Sequence, residues 1–233
     1  MNKRAIVNFS NKRGWYADGQ ERLKNMLPSY IPSDVELFFF DDEEKIGSPM
    51  HNDNPYAFKL YSIQNVLEKE YHTILYLDAS LFPIRKLDAI FDVIEKEGFF
   101  AQHAGHMVGT WANDACLKYF GITRDEAMDI PMYGNAGLLG LDLSRPEILN
   151  FYVKWRDSMN AGAFIGAWKN DDKSQSEDSR CRGHRHDMVC GSIVMWQLGL
   201  DKRYQRGDQW MKYAPPHEEI TDETILLKAH PTI

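Results

Sequence analysis

No run in this 233-residue chain approaches the ~20 consecutive apolar residues that cross a bilayer, which excludes a membrane-spanning protein. Cysteine is scarce. Cys116, Cys181 and Cys190 are odd in number and cannot all pair internally, so a disulfide scaffold is excluded and a reducing, cytoplasmic setting is expected. An excess of positive charge is also missing: at a formal net charge of -7 the field of the whole molecule repels a polyanion, and nonspecific nucleic-acid binding is not the default. Local basic clusters remain, at Lys202, Arg203 and Arg206 and at Arg180, Arg182 and Arg185, and these suit a phosphate-bearing ligand or a solvated face. Neither a Walker sequence nor Gly-x-Gly-x-x-Gly occurs, which removes P-loop nucleotide hydrolysis and dinucleotide binding. There is no internal repeat and no interdomain linker, so a single domain over 1–233 is expected. The basic N-terminus leads into too short an apolar stretch for a signal-peptide core, and reads as a first strand.

What is present is a regular alternation. Strand-length apolar runs bounded by turn residues occur at 5–9, 35–40, 73–77, 98–102 and 137–141. Helical patterns separate them at 19–27, 55–70, 87–97, 114–120, 145–161 and 188–198. Strands alternating with longer helices predict an α/β fold with a mostly parallel, twisted central sheet and helices on both faces. Segment 169–185 is polar, has no hydrophobic period and is longer than an ordinary connection, and is therefore expected to form a mobile loop or lid.

The run 73–77 is apolar throughout, as a central strand buried on both faces requires, and it ends directly in Asp78. A carboxylate at that end of a central strand lies where open α/β sheets bind ligands, although position alone equally allows a turn cap. Late in the chain, Gly183-His184-Arg185-His186-Asp187 leads into the last long helix. Asp187 suits a helix N-terminus, either as an N-cap or as a carboxylate facing a cleft. Cys181 and Cys190 flank this stretch, but their spacing does not match the paired elements of a structural zinc site. The first strand ends in Asn8-Phe9-Ser10, and Trp15 and Tyr16 lie just beyond a glycine turn, a common nucleotide-edge arrangement; either ring alone could instead close a small satellite core. The stretch from Gln102 to Trp111 carries His103 and His106 between bending glycines and is expected to line a sugar or acceptor pocket.

Five motifs recur in one order: Pro55-Tyr56-Ala57-Phe58-Lys59 opening a helix, Leu77-Asp78-Ala79-Ser80, Asn135-Ala136-Gly137-Leu138-Leu139-Gly140-Leu141-Asp142, Phe151-Tyr152-Val153-Lys154-Trp155, and His184-Arg185-His186-Asp187. Together they resemble the GT-A type glycosyltransferases over most of the chain from Ala5 to Leu200. The resemblance implies transfer of a sugar from a nucleotide-sugar donor, UDP-linked, to an acceptor hydroxyl. The acceptor would be a glycan, a small molecule or, because chains with this motif order look like phage and metagenomic sequences, a modified DNA base such as hydroxymethylcytosine.

It also implies a donor-binding set of Asn8, Ser10, Tyr16, Lys59, Asp78, Ala79, Ser80, Asn135 and His184, and a catalytic set of Asp187, His186 and Arg185. In these roles Asp187 is a general base or stabilises an oxocarbenium-like transition state, while Arg185 neutralises the departing diphosphate. A Mn²⁺ or Mg²⁺ ion is implied too, held by Asp78 with His230 as a late ligand. Ser80 stands where the family pattern has its second carboxylate, and one carboxylate binds a hard cation weakly. That departure supports an alternative: a glycosyltransferase-like module without catalysis that binds a nucleotide or a protein partner.

Overall fold

Alternation along the apolar runs builds one sheet with two buried faces. In the computed structural model, which describes residues 3–12, 14–133, 137–201 and 210–229, the N-terminal half comprises β1 (Lys3–Phe9), α1 (Trp15–Met26), β2 (Val35–Phe40), α2 (Ala57–Leu67), β3 (Tyr71–Leu77), β4 (Leu81–Pro83), α3 (Asp88–Glu97), β5 (Phe99–Ala101) and β6 (His103–Met107). The chain continues through α4 (Val108–Trp111), α5 (Asp114–Phe120), α6 (Arg124–Met128), β7 (Pro131–Tyr133), β8 (Leu138–Asp142), α7 (Pro146–Asn160), α8 (His186–Gln197), β9 (Met211–Tyr213) and β10 (Leu226–Lys228).

The central sheet has the order β2-β1-β3-β8-β5. β1 runs parallel to β2 and β3, while β8 runs antiparallel to β3 and β5, so β8 alone opposes the common direction of the other strands. The expected mostly parallel sheet is therefore found. Successive side chains point to opposite faces. On one face Ala5, Val7, Ile74, Tyr76, Leu139 and Leu141 pack with Leu60 of α2, Trp155 of α7 and Ile193 of α8. On the other, Ile6, Leu75, Leu77 and Leu138 meet Leu23 of α1, Phe91 and Ile94 of α3 and Leu226 of β10. This burial, about 1.5–3 kcal/mol for each large apolar side chain, holds helices α1, α2, α3 and α8, none of which has a side-chain N-cap bond. The short α5 and α6 do have caps: Asn113 accepts the Cys116 N–H, and Thr123 with Glu126 forms a capping box.

The sequence places the long elements within a few residues, with two shifts at functional ends. α1 starts at Trp15 rather than 19, and α8 starts at His186 with Arg185 in the N-cap position, so Asp187 lies in the first turn and is not the cap. Strands β4, β7, β9 and β10 have three residues each, too short to display a period of two, and β6 occupies the stretch around His103 and His106 read as a bend. Among the described residues no helix is long and apolar enough to cross a membrane.

Segment 169–185 is folded back on itself. The Asn170 side chain accepts the N–H groups of Gln175 and Ser176 at 2.9 and 3.2 Å and donates to the carbonyls of Ser176 and Cys181 at 2.8 and 3.1 Å. Main-chain bonds from Arg182 to Thr110 (2.9 Å) and from Arg185 to Trp111 (3.0 Å) tie it to α4.

Candidate functional site

The strand order reverses between β1 and β3: the chain leaves β1 for β2 on one side and returns to β3 on the other, which opens a crevice at their carboxyl ends. Asp78 stands there, half-buried. Its N–H donates to the Gly137 carbonyl at 2.8 Å, and its Oδ1 accepts the Ser80 N–H at 2.9 Å, which leaves Oδ2 for the crevice. Gly137 has φ 134°, and a Cβ there would collide with the Asp78 side chain, so the close approach of β8 depends on glycine. Ser80 is buried, yet among the described residues its Oγ has no hydrogen-bond partner, and the same holds for Ser10 Oγ across the crevice. Buried hydroxyls without partners are what a polar ligand satisfies.

The crevice widens into a cavity of about 730 Å³ with a largely aromatic wall. Trp15 and Tyr16 stack at 3.8 Å between ring centroids, Phe9 stacks on Phe58 at 4.3 Å, and Tyr56 and Trp168 face the same space. Burial, with the Asp78 charge second, raises the Tyr16 phenol above its ordinary value, so Tyr16 stays neutral. Tyr213, His217, Glu218, Lys228 and Ala229 complete the wall from the C-terminal strands. Ala229 is pinned beside the Asp78 turn: its N–H donates to the Ser80 carbonyl at 3.0 Å, and Arg22 Nη2 donates to both carbonyls at 3.1 Å. The C-terminal contributors are invisible in the sequence because their strands are too short to declare themselves; the terse apolar run 225–227 is the one signal.

Of the donor-binding residues expected from sequence, Ser10, Tyr16, Asp78 and Ser80 line this cavity together. Asn8 lies under it, donating to the Leu77 carbonyl at 2.7 Å and accepting from Gln20 at 2.8 Å, so it joins the ends of β1 and β3 to α1. Ala79 is buried against Gly19. Lys59 and Asp187 form an ion pair one layer deeper, with side chains only 7% and 4% exposed, and neither lines the cavity. The Trp155 indole N–H holds the Asp187 main-chain carbonyl at 3.0 Å, which fixes the first turn of α8 above the pair. His186, at φ 42°, lies between two cavity residues, its ring 5.3 Å from Tyr56 and 5.8 Å from Trp168, with Nδ1 bonded to the Phe164 carbonyl at 2.8 Å. Strained backbone of this kind is found at sites where surrounding structure overrides local preference.

His184 and Arg185 are elsewhere. His184 is fully buried; its Nδ1 accepts the Asn113 N–H at 3.3 Å and its Nε2–H donates to the Ala163 carbonyl at 2.9 Å. It approaches Cys116 and Cys190, whose sulfurs are 3.6 Å apart, but both ring nitrogens are already engaged by backbone, so this trio packs rather than presenting a free imidazole. Arg185 faces a second, smaller cavity. His103 and His106 line neither cavity. Asn135 and His230, and with them Lys202, Arg203 and Arg206, lie outside the described residues.

The buried histidines set an acid limit. Burial lowers the His184 pKa from 6.5 to about 3, and burial also lowers that of His186. With folded values below the unfolded one, the unfolded chain binds more protons as pH falls below 6.5; stability is complete above pH 6.5 and declines toward pH 3. His184 alone removes about 2 kcal/mol between pH 6.5 and pH 5. Urea denaturation should give a clearly lower midpoint at pH 5 than at pH 7, and equal midpoints would contradict a neutral buried imidazole.

No protein-family model matches the sequence, and no curated protein matches it at the sequence level. Solved structures do match. The apo crystal structure of mouse xyloside xylosyltransferase 1 superposes with a TM-score of 0.50 at 11% identity, covering 98% of this chain and 98% of that one. Glycosyltransferase GlyE of Streptococcus pneumoniae TIGR4 matches 90% of this chain and 46% of its own at 14% identity and a TM-score of 0.45. Galactosyltransferase LgtC, in complex with donor and acceptor sugar analogs, matches 96% of this chain and 86% of its own at 10% identity and 0.47. The sheet order, the end-to-end match to the xylosyltransferase and the crevice at Asp78 agree on one point: the chain has the mixed α/β fold of the GT-A glycosyltransferases.

Proposed function

We propose that this protein transfers a sugar from a nucleotide-sugar donor, UDP-linked, to an acceptor hydroxyl. The observation that carries the reading is the Asp78–Ser80 turn at the reversal of strand order, opening into an aromatic cavity whose two buried serine hydroxyls have no partner among the described residues. The base stacks against the Trp15 and Tyr16 pair, the ribose and diphosphate reach Ser10, Asp78 and Ser80, and Lys228 adds positive charge at the cavity wall. Asp187, paired with Lys59 one layer below the cavity, supports the transition state from beneath the sugar site, and His186 positions Tyr56 and Trp168 around the sugar.

Asp78 and the Ser80 hydroxyl, which has no partner among the described residues, fit one side of the coordination of a hard cation, and His230, the further ligand that the sequence suggests, lies outside the described residues. A Mn²⁺ or Mg²⁺ ion held there would supply charge to the leaving diphosphate. With a single carboxylate in the set, its contribution to binding is small: removing metal with EDTA should weaken UDP binding by less than about tenfold.

The test is a thermal-shift screen of UDP, GDP, ADP and their sugar conjugates, with Mn²⁺ and with EDTA, followed by donor hydrolysis on each hit. A UDP-induced shift with slow hydrolysis is the expected result. Absence of a shift with every nucleotide would sink the donor site. A shift without turnover would favour the second reading, a nucleotide-binding module without catalysis, for which Ser80 in place of a carboxylate is the specific support.

A further inference from the structure

Trp168 has a cavity on each side. One is the proposed donor site; the other, about 380 Å³, is walled by Trp111, Trp168 and Arg185 and rimmed by Lys169, Asp171 and Arg182. The Arg185 guanidinium lies between the two indoles, 3.8 Å from the Trp111 ring and 3.6 Å from the Trp168 ring, and donates to the Trp168 carbonyl at 2.6 Å. It is thereby held in one orientation, and the bonds from segment 169–185 to α4 brace both walls.

Among the described residues neither Arg185 nor Arg182 has an acidic partner, and Lys169 meets Asp171 only across 4.0 Å between well-exposed side chains. Burial lowers the Arg185 pKa to about 10, which leaves it cationic at neutral pH. Three cations against one acid make this a positive cup on a protein of net charge -7. Its volume is suited to a single sugar ring, the exposed part of the Trp168 indole offers apolar surface, and its cations call for an anion.

Resting on the transferase reading above, we propose that this cup is an acceptor subsite that takes an anionic sugar residue of a glycan chain, with the adjoining residue reaching past Trp168 into the main cavity. The acid group meets Arg185 and Arg182, and the ring lies against exposed indole. A cup of this size on a chain of net charge -7 suits one anionic residue rather than the continuous phosphate track of a nucleic acid.

Calorimetric titration with cellobiouronic acid, its neutral counterpart cellobiose, glucose 6-phosphate and a duplex containing hydroxymethylcytosine tests this, with UDP binding followed in parallel on the same protein. Cellobiouronic acid or glucose 6-phosphate should bind at least about fivefold more tightly than cellobiose, and the better of the two tells carboxylate from phosphate. Arg182→Gln and Arg185→Gln should each erase the preference, and Arg182→Gln should leave UDP affinity unchanged. Equal affinity for the charged and neutral sugars overturns the subsite, as does tighter binding of the duplex lost in Arg182→Gln. If UDP binds while the sugars show no preference, the subsite alone falls; if UDP fails to bind, the transferase reading falls with its own test.

Discussion

Replacing Lys59 by methionine is expected to destabilise the protein by about 3–5 kcal/mol, on the order of 10 °C in Tm, and replacing Asp187 by leucine should do the same. Both groups are almost wholly withdrawn from water, so either single change leaves a buried charge uncompensated. The double variant Lys59→Met/Asp187→Leu should recover most of the loss, because an apolar pair of similar size has no charge to desolvate. Thermal and urea unfolding of the four proteins checks this, and additive losses would show that the pair is not coupled. Function separates from folding in Asp187→Asn, which keeps the shape. At a temperature where the variant is folded it should bind UDP within about threefold of the parent while donor turnover falls at least about 100-fold. Full turnover in a folded Asp187→Asn protein would remove Asp187 from the chemistry.

The second large effect is expected at Gly137. Its alanine variant would drive a methyl group into the Asp78 side chain and push the carboxylate out of the turn that Ser80 completes. UDP affinity should fall at least about 30-fold, roughly 2 kcal/mol, and Asp78→Ala should abolish UDP binding altogether. Alanine at a positive φ also carries backbone strain of about 1–3 kcal/mol, so a control is needed. Gly199 has φ +67° with nothing within 4 Å of an added Cβ, and Gly199→Ala should lose comparable stability with UDP binding intact. If Gly137→Ala bound UDP as the parent does, the donor would not depend on where Asp78 is held.

Much of the frame is legible in the amino-acid order. The uninterrupted apolar run that ends at Asp78 announces a central strand, and the structure has it in the middle of the sheet with both neighbours paired. The helix ending at Phe120 is marked by Asn113 before it and Gly121 after it, and its bounds agree with the reading from sequence. The place of Asp78 at the crevice is legible for the same reason: the end of a buried strand is a local property, and the chain reversal that makes it a crevice follows from alternating strands and helices. The His184 to Asp187 stretch is legible only as a cluster. Alternate residues along it point in different directions, and nothing in their order says that Asp187 turns inward to Lys59, His184 toward Ala163, and Arg185 outward between two tryptophans.

By itself, then, the sequence determined the α/β class, the long elements and the position of Asp78, because periodic burial and turn residues act over a few neighbours. Only the tertiary structure decided which side chains share a cavity. It brought the C-terminal strands against the Asp78 turn, drew Lys59 and Asp187 together across 128 positions of chain, and divided the space around Trp168 into two cavities. Those outcomes depend on how whole faces pack and on which buried polar groups find partners, and both are sums over residues far apart in the chain.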